Sequence, residues 1–313
     1  MISFTIVLPV YNETKNLKIF NETLDSELVR LKDYNFKKIY INDGSKDDSK
    51  KTILDFLKKS KIDGSLVSFT KNFGHQNAII AGLKNVESDF YIIMDTDLQH
   101  DPSLINLMIN NIISSKIDIV QMKKKYGKYE GVFKRILSST FYRIFKKLTD
   151  IDLKKGSSDF YLISKRVRDQ IINSNFSSNF IRGFIHWAGY NKIFLDYLPN
   201  KRRQGKSSYN FFKQLELALT GLYYYTTKVY LFTFILALFF FGASIIYILY
   251  IIYQYMIGNI IPGWSELAIL NLFFGSTLLL LMSIVLFLIT KIFTIVSKKP
   301  DYIIEDFIKN KNE

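Results

Sequence analysis

The sequence contains no cysteine. Disulfides, thiolate metal sites, iron–sulfur clusters and thiol nucleophiles are therefore excluded. It has only three histidines; no spacing among them makes a zinc site, and His75 and His100, alone on loops, read as polar surface residues. Acidic residues are outnumbered, 28 against 42 Lys and Arg, for a net charge of +14. The N-terminal apolar stretch is short, has no basic flank and breaks at Pro9, so it is not expected to act as a secretory signal. No internal repeat or low-complexity segment is found. What is abundant is aromatic: 27 Phe and 20 Tyr in 313 residues rule out intrinsic disorder.

Charge is also missing locally. Val229–Tyr253 and Leu267–Thr290 contain no charged residue. A bilayer core of ~30 Å needs roughly 20 apolar helical residues, so each run is long enough to span. The connector Gln254–Glu266 holds Pro262 and Gly263 but no Lys or Arg, whereas Lys228, Lys291, Lys298 and Lys299 flank the pair. The positive-inside rule then places residues 1–227 and the tail 291–313 in the cytoplasm and the connector outside. The expectation is a two-helix transmembrane hairpin over 228–290, with the protein multi-pass in the plasma (inner) membrane.

Residues 1–227 read as one α/β domain. Apolar, β-branched runs at Phe4–Leu8, Lys38–Ile41, Gly64–Phe69 and Phe90–Met94 predict strands. Helical periodicity separates them: Leu17, Phe20, Leu24, Leu28 and Leu31 in the first interval, then Ser49–Leu57 and Gln76–Val86. Such alternation implies a mostly parallel sheet covered by helices. Ligands of such sheets bind beyond the carboxyl ends of the strands, where Tyr11-Asn-Glu13, Asn42-Asp-Gly44 and Asp95-Thr-Asp97 fall. Phe133–Leu148 differs: one apolar helical stripe is flanked by Lys134, Arg135, Arg143, Lys146 and Lys147, a pattern that suits a membrane surface. A second interfacial segment is expected at 211–225.

Asp95 and Asp97 carry the sharpest chemistry. In extended backbone two carboxylates at i and i+2 point the same way. Together with substrate phosphates they can hold Mg²⁺ or Mn²⁺, which neutralises a diphosphate leaving group.

Taken in order, Val7-Leu-Pro-Val-Tyr-Asn-Glu13, Ile41-Asn-Asp-Gly-Ser45, Lys71-Asn-Phe-Gly-His75 and Met94-Asp-Thr-Asp-Leu-Gln99 resemble the family-2 glycosyltransferases of GT-A (Rossmann-like) fold. Gly156-Ser-Ser-Asp-Phe160, Phe180-Ile-Arg-Gly183, Arg202-Arg-Gln-Gly-Lys-Ser-Ser-Tyr209 and the two apolar runs extend the resemblance to polyprenyl-phosphate glycosyltransferases over nearly the whole chain. That resemblance implies that Pro9, Tyr11 and Glu13 surround the base and ribose of a nucleotide sugar, with Asp43 accepting a hydrogen bond from the base. It implies that Asp95 and Asp97 handle metal and diphosphate with Gln99 beside them, and that Asp159 lies near the acceptor. It gives Arg202, Lys206 and Ser207 to a loop closing over the phosphates, and Lys123 and Arg135 to the acceptor phosphate. Asp97, Asp159 and Arg202 are the implied catalytic set. Two positions depart from the pattern: Asn42 stands where relatives often carry Asp, and Ser208 where many carry Lys.

The expectation is a metal-dependent inverting transferase that moves a hexose from a nucleotide sugar, of UDP-glucose type, to undecaprenyl phosphate at the cytoplasmic leaflet. A processive polysaccharide synthase would share the nucleotide motifs but adds Gln-x-x-Arg-Trp, and neither Trp187 nor Trp264 has that context. A non-catalytic membrane scaffold on a degenerate domain would not need Asp43, Asp95, Asp97 and Arg202. Nucleic acid is a poor explanation of the basic charge, because a lipid phosphate and a membrane surface account for it. The sugar, the nucleotide, the choice of Mg²⁺ or Mn²⁺ and the oligomeric state, a homo-oligomer included, stay open at this point.

Overall fold

The computed structural model describes residues 1–125, 156–173, 181–200, 263–296 and 300–310, with isolated positions between 239 and 257. The chain divides into two compact units, Met1–Tyr225 with Asp301–Glu313, and Thr226–Pro300.

In the first unit the described strands are β1 (Ile2–Val10), β2 (Tyr34–Asn42), β3 (Asp63–Phe69), β4 (Phe90–Ile93), β5 (Ile119–Lys124), β6 (Ser157–Ser164), β7 (Lys192–Tyr197) and β8 (Ile304–Asn310). They form one eight-stranded sheet in the order β7-β5-β6-β4-β1-β2-β3-β8. Strands β3, β2, β1 and β4 are mutually parallel. They read as nearly unbroken apolar runs because helices cover both sheet faces. On one face, α1 (Thr14–Arg30), α2 (Ser49–Lys59) and α4 (Leu104–Ser115) pack Leu17, Phe20, Leu24, Ile53 and Met108 against Phe4, Ile6, Leu8 and Tyr40. On the other, α3 (His75–Lys84), α5 (Lys165–Asn173) and α6 (Ile181–Trp187) pack Ile79, Leu83, Val167 and Ile185 against Val7, Ile39, Tyr91 and Tyr161. This is the mostly parallel α/β sheet implied by the resemblance to GT-A transferases.

Strand order reverses at β1, with β2 on one side and β4 on the other. The carboxyl ends of β1 and β4 thus flank a switch point, the crevice where open α/β sheets bind ligands. The antiparallel strand β6 lies beside β4, pairing Ile93 with Tyr161. Extending that register brings Asp159, at the start of β6, opposite Asp95, just past the end of β4.

The stretch beyond Lys291 contains a strand that its sequence did not advertise. β8 pairs antiparallel with β3, and Lys50 of α2 reaches both Glu305 and Asp306. Tyr302 stacks on Phe69, with ring centroids 4.9 Å apart.

In the second unit, α7 (Gly263–Val296) is a helix of 34 residues. The consecutive residues Val285, Leu286 and Phe287 are all exposed. At 100° per residue they point in three directions, so no single buried face accounts for the helix's apolar character. Among the described residues no helix is long and apolar enough to cross a membrane. The expected first span 229–253 and the expected interfacial segments 133–148 and 211–225 lie outside the described residues, apart from isolated positions in the span.

Candidate active site

The loops after β1 and β2 are tied to each other. The Asn12 backbone N–H donates to Ser45 Oγ (3.0 Å), the Lys46 N–H to Asn12 Oδ1 (2.8 Å), and the Glu13 N–H to Ser49 Oγ (3.0 Å). Asn12 adopts a left-handed φ of 56°, which Asn tolerates better than most residues. Tyr11 stands exposed at the rim, while Pro9 is buried and offers its carbonyl to Thr96 Oγ1 at 3.4 Å. Glu13 directly precedes α1, and its carboxylate accepts from Asn16 Nδ2 at 2.6 Å. Asn42 accepts the Ser45 N–H on Oδ1 at 3.1 Å. This is a turn-closing bond that needs no negative charge, so the departure from Asp costs the turn nothing.

Asp43 is buried, and its carboxylate accepts from Asn72 Nδ2 (2.9 Å) and from the backbone N–H groups of Phe73 (2.6 Å) and Gly74 (3.0 Å). Burial raises its pKa from 3.8 to about 6, against the pull of the Phe73 and Gly74 N–H groups and of His75. Its shown work is thus to hold the segment that delivers His75. Gly44, at φ 63°, makes this possible: a Cβ there would lie 2.2 Å from the Lys71 carbonyl carbon.

The residues after β4 form the centre. His75 Nε2 lies 3.4 Å from Asp95 Oδ1 and 3.8 Å from Asp159 Oδ2, and His100 Nε2 lies 3.7 Å from Asp95 Oδ2. Asp97 Oδ1 accepts the Gln99 N–H at 3.0 Å, in a turn where Leu98 holds a φ of 67°. A non-glycine residue in that region stores strain of the kind found at functional sites.

Both histidines correct the expectation of surface residues. His75 opens α3 and is only partly exposed, and His100 is 1% exposed, stacked on Phe160 with ring centroids 4.9 Å apart. Burial lowers the His100 pKa, with Asp95 opposing. What hid them is sequence distance: the rings against His100 belong to Phe160 and Tyr197.

Arg182 of α6 grips Asp159 with two nitrogens, Nη2 to Oδ2 at 2.9 Å and Nε to Oδ1 at 3.2 Å. Burial pushes the Asp159 pKa up, but Arg182, His75 and His100 outweigh it and hold the carboxylate below its usual range. Arg182 had a signal, its place in the Phe180–Gly183 motif, but no role could be assigned to it without knowing which strand neighbours β4.

Successive residues of β5 face opposite ways. Lys124 Nζ donates to Gln99 Oε1 at 3.1 Å, whereas Lys123 pairs with Asp196 of β7 at 3.2 Å. It is Lys124 that reaches the group after β4. Arg135, Arg202, Lys206 and Ser207 lie outside the described residues.

Among the described residues no three His, Asp or Glu side chains close into a metal cage. Asp95 and Asp97, two hard oxygen donors at one strand end, fit a cation that takes its remaining ligands from diphosphate and water, as Mg²⁺ and Mn²⁺ do.

The family model for glycosyl transferase family 2 matches residues 5–196. The SfII prophage-derived bactoprenol glucosyl transferase of Shigella flexneri is 30% identical over 303 residues, 96% of this chain and 97% of that protein. The uncharacterized glycosyltransferase YkcC of Bacillus subtilis (strain 168) is 29% identical over 97% of this chain and 94% of its own. Glucosyl-3-phosphoglycerate synthase from Mycobacterium tuberculosis, solved with Mn²⁺ and UDP-glucose, superposes with a TM-score of 0.49 and 15% identity, over 70% of this chain and 77% of that one.

Proposed function

The chain belongs to glycosyl transferase family 2, and on that premise we propose that it transfers a hexose from a nucleotide sugar, of UDP-glucose type, to undecaprenyl phosphate at the cytoplasmic leaflet. The relatives named for bactoprenol glucosyl transfer support this reading through a match that runs nearly end to end.

The observation that carries it is the state of Asp159. A hydroxyl acceptor would require a general base at the site. Asp159, gripped by both arms of Arg182 and held below the usual carboxylate range, is a poor one. His75 Nε2 is flanked by two carboxylates, 3.4 Å from Asp95 Oδ1 and 3.8 Å from Asp159 Oδ2, and so does not face an open acceptor position. A phosphate monoester needs no base, because its second pKa is ~6 and it is already dianionic in large part at pH 7.

In the reaction proposed, a phosphate oxygen of the lipid attacks the anomeric carbon from the face opposite the leaving group. The new C–O bond forms as the bond to the β-phosphate oxygen breaks, and the electron pair departs with the nucleoside diphosphate. The transition state is oxocarbenium-like, and the anomeric centre inverts. The β1 and β2 loops, with Pro9, Tyr11, Glu13 and Asp43, hold base and ribose. Asp95 and Asp97 would hold Mg²⁺ or Mn²⁺, which neutralises charge developing on the diphosphate. Asp159 orients the acceptor side of the crevice. Lys123, Arg135, Arg202, Lys206 and Ser207 keep, within this proposal, the acceptor-phosphate roles that the resemblance implies.

One feature favours a membrane setting, and a second constrains its topology. The described part of α7 exposes apolar residues around its circumference. The chain also leaves the first unit after Tyr225 and rejoins it at Asp301, so any crossing between those points must occur an even number of times, as a hairpin does.

The test is a panel of labelled nucleotide sugars incubated with membranes carrying the protein, with mass analysis of the lipid fraction. Sugar on undecaprenyl phosphate is expected. Equal use of undecaprenol would overturn the reading.

A further inference from the structure

The His100 ring is enclosed on all sides that the structure describes. Phe160 stacks on it at an interplanar angle of 17°, and Tyr197 meets it edge-on at 71°. Its Nδ1 accepts the backbone N–H of Asp95 at 2.9 Å. A nitrogen that accepts carries no proton, so in the neutral ring the proton sits on Nε2. That Nε2 is buried without a hydrogen-bond partner. Leaving a buried donor unsatisfied costs ~1–3 kcal/mol, and a phenyl ring would fill the same space without that cost. The polar atom nearest to explaining it is Asp95 Oδ2, 3.7 Å away. The Asp95 side chain is partly exposed and can turn through the remaining fraction of an ångström, while His75 flanks its other oxygen.

We propose that His100 is a positioning residue for Asp95, holding the backbone through Nδ1 and the carboxylate through Nε2–H, so that Asp95 is fixed for a cation-bound diphosphate. This rests on the donor reading above and adds to it. Carboxylates that ligate cations are themselves oriented by hydrogen bonds from a surrounding shell, and removing such a partner costs ~10–100-fold in affinity.

The geometry separates the two grips. In His100→Asn the amide oxygen can still take the Asp95 N–H, but the donor toward Oδ2 is lost. In His100→Gln the longer amide can reach the Nε2 position and restore that donor, while the Nδ1 acceptor is lost. Mn²⁺ binding to the detergent-solubilised full chain is followed by electron paramagnetic resonance with UDP present, alongside melting without Mn²⁺. His100→Asn should melt near the wild type yet bind Mn²⁺ about 10–100-fold more weakly. His100→Gln should melt lower but recover most of the Mn²⁺ affinity. Asp97→Asn serves as the control that removes a ligand outright.

Equal Mn²⁺ affinity in His100→Asn and wild type, with Asp97→Asn weakened, sinks this inference alone. Weaker binding in His100→Gln than in His100→Asn also sinks it, because the donor would then be irrelevant. A wild type that binds UDP but no Mn²⁺ overturns the cation reading and this inference with it.

Discussion

Replacing Arg182 with Met removes the clamp on Asp159. The side chain keeps an apolar stem of similar reach but loses the guanidinium whose two nitrogens hold Asp159 at 2.9 and 3.2 Å. Asp159 has 10% of its side chain exposed and Arg182 24%, so solvent replaces little of what is lost. Removing one partner of a buried pair costs ~3–5 kcal/mol, because the other charge stays desolvated. At ~2–4 °C per kcal/mol for a unit of this size, the melting temperature should fall by roughly 6–20 °C at pH 7.

The sign of the pH dependence follows from Asp159. In the wild type its folded pKa lies below the unfolded value, so its stabilisation is present above the unfolded pKa and lost as pH falls through the folded one. In the variant burial, the leading influence, is opposed by the histidines alone, and the folded pKa rises. A raised carboxyl pKa penalises folding most when the group is ionised, so the melting gap between variant and wild type should narrow from pH 7 toward pH 4. Differential scanning of both proteins across that range reads this directly. Arg182→Lys, which keeps charge but not the fork, should fall between the two. An Arg182→Met protein that melts within 2 °C of wild type at pH 7, a limit set from that expected fall of roughly 6–20 °C, would refute the account of Asp159 as a buried, clamped carboxylate.

Gly44→Ala should cost both stability and donor affinity, since its Cβ would strike backbone at 2.2 Å in a left-handed turn; isothermal titration with UDP and a melting curve check both losses. Asp43→Asn should weaken donor binding by loosening the segment that carries His75. Because the folded pKa of Asp43 is raised to about 6, wild-type stability should decline relative to Asp43→Asn as pH rises from 4 to 7, and a rise instead would contradict the buried placement. For topology, a membrane-impermeant thiol reagent on intact cells should label Gly258→Cys but not Lys59→Cys or Asp301→Cys, and the reverse pattern defeats the hairpin.

By itself the sequence determined the parallel half of the sheet. Strands β1 to β4 are covered on both faces and must be apolar along their length, and the helices between them must carry a 3.6-residue stripe, so Phe4–Leu8 or Leu17–Leu28 announce their own structure. The polar clusters after β1, β2 and β4 were legible for the same reason, since chain direction fixes which strand ends face the crevice. Strands β5, β6, β7 and β8 were not legible, because they enter the sheet through non-local pairings that no local pattern encodes. β8 shows this best: Ile304–Asn310 is mostly exposed, and its partner β3 lies about 240 residues earlier.

Tertiary structure alone decided which groups meet Asp95. Insertion of the antiparallel β6 beside β4 sets Asp159 opposite Asp95 and brings Arg182 and His75 to it from one sheet face. From the other, Phe160 and Tyr197 close around His100. Spacing along the chain records which strand ends carry polar groups, but contact between them depends on strand order. That order is chosen by packing of the whole sheet, not by any segment of it.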